Sequence, residues 1–99
     1  MMNGLRPIHP GEILREEYLL PLGLSVNALA KALHVPATRI HEIAKENRSI
    51  TPDTALRLAR YFGGDAKSWL NLQTEYDLKV VAKNSSIEAE VLPREAAWE

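Results

Sequence analysis

The sequence predicts an all-α protein, folded as an orthogonal bundle of five helices. Apolar residues recur at helical spacing through most of the 99-residue chain, whereas alternation with period two occurs only near its end. Prolines, glycines and capping residues interrupt the apolar stripes at intervals typical of short helices. The composition, 45% hydrophobic and 25% charged, is that of one small globular domain.

Composition and charge exclude several classes of protein. The chain has no cysteine, which excludes disulfide scaffolds, thiolate zinc sites and cysteine nucleophiles. The longest uncharged stretch, 18–30, contains Pro21 and Gly23 and is shorter than the roughly 20 residues of a membrane span. We therefore expect a soluble, cytoplasmic protein without membrane contact. The net charge of −1 excludes nucleic-acid binding by bulk charge, so a nucleic-acid surface would be a local concentration of charge.

The first two helices are marked by proline, glycine and serine. The first is predicted over 11–20, with His9 as a turn residue before it, and Pro21 and Gly23 are expected to end it. Ser25 is the predicted N-cap of the second helix. The apolar residues of this second helix occupy one face at i, i+3, i+4 and i+7: Val26, Leu29, Ala30 and Leu33.

The next three helices are joined by short connections. Pro36 suits the first turn of the third helix, and Thr51-Pro52-Asp53 indicates the start of the fourth. Gly63-Gly64 ends the fourth helix, and Asp65 caps the fifth. Trp69 and Tyr76 of the fifth helix are expected in the core or in a dimer interface.

The end of the chain differs in character from the rest. We expect residues 1–83 to form the domain and 84–99 to form an acidic C-terminal tail with one Arg against four Glu. Ile87, Ala89 and Val91 alternate with glutamates, so a short edge strand is an alternative to a frayed, disordered tail.

The second and third helices together predict a helix-turn-helix over 25–43. The connecting turn, 33–35, is so short that the two helices must cross steeply, and Ala30 provides the small residue at their contact. Packing by Ile40 and Ile43 would then leave one face of the third helix free for the major groove of DNA. That outer face is predicted to carry Thr38, Arg39, His41, Glu42 and Lys45.

The Cro/XRE repressor family has a helix-turn-helix that residues 25–43, SVNALAKALHVPATRIHEI, resemble. Three further segments resemble HigA-type (VapI-like) antitoxins of bacterial toxin–antitoxin modules: HPGEIL at 9–14, ITPDTALRLARYFG at 50–63 and WLNLQTEYDL at 69–78. The resemblance implies a homodimer that binds a near-palindromic operator in its own promoter. It also implies a complex with HigB, a RelE-like toxin that cuts translated mRNA.

Roles in DNA binding can be assigned within the motif. Thr38 and Arg39 are predicted to reach base edges beside His41, and Glu42 to accept a hydrogen bond from a cytosine amine. The N-termini of both motif helices are predicted to bind phosphates. Five side chains are expected to assist them: Ser25, Asn27, Lys45, Asn47 and Arg48.

Departures from the family pattern leave two alternatives open. His34 stands where the family usually has glycine, Val26 and Ala37 where it often has polar residues, and 46–48 replace an Asn-Gly-Lys/Arg turn. The alternatives are a stand-alone helix-turn-helix repressor without a toxin and a helical interaction domain that has lost DNA binding. No metal is expected, because the zinc pattern begun by His41-Glu42 has lysine at position 45. No cofactor or enzymatic activity is expected either, because the sequence has no glycine-rich phosphate loop and no serine in a nucleophile elbow.

Overall fold

The computed structural model describes residues 6–94, and within that range the chain forms six helices and no strand. Helix α1 consists of three consecutive segments, Pro10–Ile13, Leu14–Leu19 and Leu20–Leu22, of which the middle one has π-helical hydrogen bonding. The later helices are α2 (Val26–Leu33), α3 (Ala37–Ala44), α4 (Pro52–Phe62), α5 (Ala66–Lys83) and α6 (Ile87–Glu90). All five predicted helices are present, and α6 is a single additional turn.

Side-chain caps start three of these helices where the sequence predicts. Ser25 Oγ accepts a hydrogen bond from the Ala28 amide at 3.0 Å. Asp65 caps α5 in the same way, at 2.8 Å from the Ser68 amide, and Thr51 caps α4. Pro36 differs from the prediction, since it is the N-cap of α3 rather than a residue of its first turn.

The core lies where α1 to α5 meet. Trp69 is 5% exposed and belongs to this core, with its ring centroid 5.3 Å from that of Tyr18. Of the two locations predicted for Trp69, the structure therefore supports the core. The other buried apolar side chains include Leu14, Leu29, Ile40, Ile43, Ala55 and Leu58.

Helix α1 continues past Leu20, the predicted last residue, and ends at Leu22. Pro21 lies inside its last segment, and Gly23, with φ 60°, is the left-handed C-cap. In a regular α-helix the proline ring would clash with the carbonyl four residues earlier. The wider π turn that precedes Pro21 changes this register, and the helix continues for one more turn.

Helix α1 approaches α3 so closely at Gly11 that no side chain fits between them. A Cβ atom added at Gly11 would overlap the carbonyl oxygen of Ile43 and would lie 2.9 Å from its carbonyl carbon. The glycine of the HPGEIL segment therefore sets the distance between α1 and the end of α3.

His9 is a buried cap at the start of α1, which agrees with the turn predicted there. It is 3% exposed, and its Nδ1 accepts a hydrogen bond from the Gly11 amide at 2.9 Å. Its ring meets Tyr76 of α5 edge-on, with 4.8 Å between centroids. Burial lowers the pKa of His9, although the charges of Glu46 and Asp77 oppose the shift.

This histidine makes stability depend on pH. The pKa of His9 is below the usual 6.5 in the folded protein, so the unfolded chain binds a proton more readily at this residue. The stability that neutral His9 contributes is therefore fully present above pH 6.5 and is lost as the pH falls through the folded pKa. We expect the free energy of unfolding in urea to decrease between pH 7.5 and pH 5. In His9→Asn, which keeps an N-cap acceptor, this decrease should be smaller. A wild-type free energy of unfolding that is constant over this range would contradict the assignment.

The segment after α5 contains a helical turn and no edge strand. Ser86 Oγ donates a hydrogen bond to Glu90 Oε2 at 2.7 Å, and the Val91 amide donates to the Ile87 carbonyl at 2.8 Å. The strand alternative is thus wrong for the described part of the tail, because no neighbouring strand is present there to pair its backbone. Residues 95–99 lie outside the described residues, and the division of the chain at residue 83 stays a prediction.

Candidate nucleic-acid interface

The helices α2 and α3 are joined by the tight turn that the sequence predicts. His34 adopts the left-handed conformation, φ 60° and ψ 46°, and ends α2. The Val35 amide then donates a hydrogen bond to the carbonyl of Ala30, which is 2% exposed at the helix contact. Histidine thus fills the position where the family usually has glycine, and the turn still forms.

The outer face of α3 presents polar side chains to solvent. Thr38, His41, Glu42 and Lys45 are all exposed, as predicted. His41 Nε2 lies 3.3 Å from Asn27 Oδ1, so a polar contact joins this face to the first turn of α2. The N-terminus of α2, capped by Ser25, therefore lies on the same side of the molecule as the outer face of α3.

Arg39 does not share this free face. Its side chain is 26% exposed, and Nη1 donates to Asp53 Oδ2 at 2.7 Å and to Thr54 Oγ1 at 3.4 Å. The guanidinium is therefore held against the start of α4. A base contact by Arg39 stays a prediction, and it requires this ion pair to open.

The charges of the motif are mostly paired within the protein. Arg48 Nη1 lies 3.0 Å from Glu42 Oε1, and both side chains are about half exposed. Exposed pairs of this kind contribute about 0–1 kcal/mol, so a phosphate can replace the carboxylate at low cost. Within residues 6–94, neither Lys31 nor Lys45 has an acidic group at ion-pair distance. Of the four Lys and Arg residues between 25 and 48, these two lysines are therefore the ones without an acidic partner among the described residues.

A clamp at the C-terminus of α3 was missed by sequence reasoning. The guanidinium of Arg15 in α1 donates to the Ala44 carbonyl and pairs with Glu46 Oε2 at 3.3 Å. Glu46 itself has φ 66° and is therefore the left-handed residue after α3. No local pattern marks this contact, because Arg15 is 29 residues from Ala44 in the chain.

Two other kinds of site, a metal cluster and a membrane span, are absent from the part of the chain that the structure describes. Among residues 6–94, no three histidine, aspartate or glutamate side chains are grouped as metal ligands. No helix there is long and apolar enough to span a membrane. The predicted DNA contacts Ser25, Asn27, Asn47 and Arg48 are all exposed, and Arg39 alone of the predicted residues is partly buried, against the start of α4.

Comparisons with known proteins agree with this geometry. Residues 14–68 match the family described as Helix-turn-helix. Virulence-associated protein I of Dichelobacter nodosus is 68% identical over 82 residues, which cover 83% of this chain and 76% of that protein. A HigA-family addiction module antidote protein from Coxiella burnetii has a TM-score of 0.86 at 53% identity, over 90% of this chain and 99% of that one. Antitoxin HigA of Pseudomonas aeruginosa, solved with the higBA promoter, has a TM-score of 0.84 at 49% identity, over 89% of this chain and 98% of that one.

Proposed function

This chain belongs to the helix-turn-helix family of HigA-type, VapI-like antitoxins, and we propose that it serves as the antitoxin of a type II toxin–antitoxin module. In this role it represses its own operon by binding operator DNA and neutralises a HigB/RelE-like ribonuclease by protein–protein contact. The observation that carries the proposal is the similarity to the Pseudomonas antitoxin, whose solved structure includes its promoter. The proposed role is non-enzymatic and is carried out in the cytoplasm.

Operator binding is assigned to the surface formed by α2 and α3. The outer face of α3 enters the major groove, where Thr38, His41 and Glu42 contact base edges. Phosphates on either side are held by the N-terminus of α2 and by exposed polar or cationic side chains: Ser25, Asn27, Lys45, Asn47 and Arg48.

We infer that the chain binds its operator as a homodimer. One recognition helix of eight residues supplies only a few base contacts, each of which discriminates by ~1–3 kcal/mol. Two copies related by a two-fold axis would place their recognition helices about 34 Å apart on a near-palindrome. This doubles the contacts and gives the affinity that a single half-site lacks.

The second partner is a ribonuclease toxin, which we assign to a surface separate from the outer face of α3. Two surfaces allow the protein to neutralise the toxin and to occupy the operator. The test is a cell-free translation reaction that contains the product of the adjacent reading frame, with and without this protein. We expect the neighbouring product to stop translation and this chain to restore it. A neighbouring product that leaves translation unchanged would remove the toxin from the proposal and leave a stand-alone repressor.

A further inference from the structure

One carboxylate at the start of α4 ties three helices together. Asp53 Oδ2 accepts from Arg39 Nη1 of α3 at 2.7 Å and from Arg57 Nε of α4 at 2.9 Å. Arg57 Nη1 also donates to the Leu33 carbonyl at the end of α2, at 2.9 Å. Both helices of the helix-turn-helix are thereby connected to Asp53, one directly and one through Arg57.

We propose that Asp53 competes with DNA for Arg39 and so determines how well the protein distinguishes its operator from other DNA. The proposal rests on the operator binding proposed above. A phosphate or a guanine edge accepts from a guanidinium in the same forked manner as a carboxylate. Arg39 can therefore exchange Asp53 for DNA while its charge stays paired.

The contact is strong enough to orient Arg39 and weak enough to be given up. The Asp53 side chain is 55% exposed, which places this ion pair among the solvent-exposed pairs that contribute little to stability. The hydrogen bond from Arg57 and, to a smaller extent, that from Arg39 lower the pKa of Asp53, so the carboxylate is ionised at neutral pH. Removal of the Asp53 charge takes the ion-pair partner from both Arg39 and Arg57. Arg57 keeps its 2.9 Å hydrogen bond to the Leu33 carbonyl, whereas Arg39 keeps only the longer contact of 3.4 Å with Thr54 Oγ1.

This competition acts differently on the two classes of DNA. On DNA of arbitrary sequence, the Asp53 carboxylate holds Arg39 back and repels nearby phosphates, which weakens binding. On the operator, an acceptor placed opposite Arg39 compensates for the lost ion pair. Asp53 therefore weakens non-specific binding more than operator binding, and the specificity ratio increases.

The test compares Asp53→Asn with wild type on an operator duplex and on a scrambled duplex of equal length. We expect Asp53→Asn to bind the scrambled duplex about 5–10-fold more tightly and the operator only about twofold more tightly. The log–log salt slope on scrambled DNA should steepen by about 0.9 for each Arg39 that gains a phosphate. Glu75→Gln removes the same charge from an exposed position on α5 and is the matched control. It should change neither the ratio of operator affinity to scrambled-duplex affinity nor the salt slope.

Arg39→Ala in the wild-type and Asp53→Asn backgrounds identifies the group that responds. The gain in non-specific affinity should vanish in the double variant, because Arg39 is required for it. A gain that persists without Arg39, or an Asp53→Asn protein that behaves as Glu75→Gln does, would overturn the proposal. If the wild-type protein binds neither duplex, the proposed operator binding fails and this inference fails with it. Circular dichroism and the unfolding midpoint of each variant establish that all of them fold.

Discussion

Gly11→Ala should destabilise the protein by about 3 kcal/mol or more. The new methyl group would overlap the carbonyl oxygen of Ile43, which is backbone at the end of α3 and cannot rotate away. Relief therefore requires α1 to move away from α3, and this movement would also disturb the Arg15 clamp on Ala44. The measurement is the free energy of unfolding in urea, with operator affinity as a second readout.

Gly23→Ala is the matched control for this substitution. Gly23 has a left-handed backbone, φ 60°, but nothing lies within 4 Å of the position that a Cβ would occupy. The loss of stability in Gly23→Ala should therefore be limited to the cost of a left-handed alanine, about 1–2 kcal/mol. Helix propensity makes the opposite prediction for Gly11, because alanine is favoured over glycine in a helix by about 1 kcal/mol. A Gly11→Ala protein as stable as wild type would show that α1 and α3 are not fixed at this distance.

Lys45→Glu should reduce operator affinity by about 10²-fold or more. Lys45 is exposed as the C-cap of α3, next to its outer face, and no acidic group of residues 6–94 pairs with it. Reversal of its charge removes a phosphate contact in each half-site and adds repulsion, each worth on the order of 1 kcal/mol. Restoration of cell-free translation should be unchanged, because the toxin is assigned to another surface.

Lys83→Glu makes the same change of charge in the last turn of α5, and it should leave operator affinity within about twofold of wild type. Equal losses in the two variants would mean that overall charge, rather than the face of α3, governs binding. Loss of both operator binding and toxin neutralisation in Lys45→Glu would contradict the assignment of two separate surfaces.

The helices were predictable because their signals are local. Ser25, Thr51 and Asp65 directly precede the helices that they cap, and each accepts the backbone hydrogen bond expected of its residue type. The apolar stripe of α2 is likewise a property of eight adjacent residues. The position of the left-handed turn at His34 also follows from the short separation of two apolar stripes.

The departures from the sequence-based predictions come from contacts between distant residues. Arg39 was placed on the outer face by helical spacing, but its orientation is set by Asp53, 14 residues later. The role of Gly11 depends on Ile43, which no local pattern reveals. Helix α1 passes Pro21 because of a π turn, a register change that apolar spacing does not indicate.

The most direct test of the central claim is the salt dependence of binding to a duplex from the region upstream of this gene. Affinity should be measured by fluorescence anisotropy between 50 and 200 mM salt, beside a scrambled duplex. We expect the protein to prefer the upstream duplex and to lose affinity for it by about 10³-fold or more over this range, as six or more phosphate contacts require. Equal, salt-independent binding to both duplexes by a protein that still restores translation would contradict this claim. That result would instead identify a helical interaction domain without DNA binding.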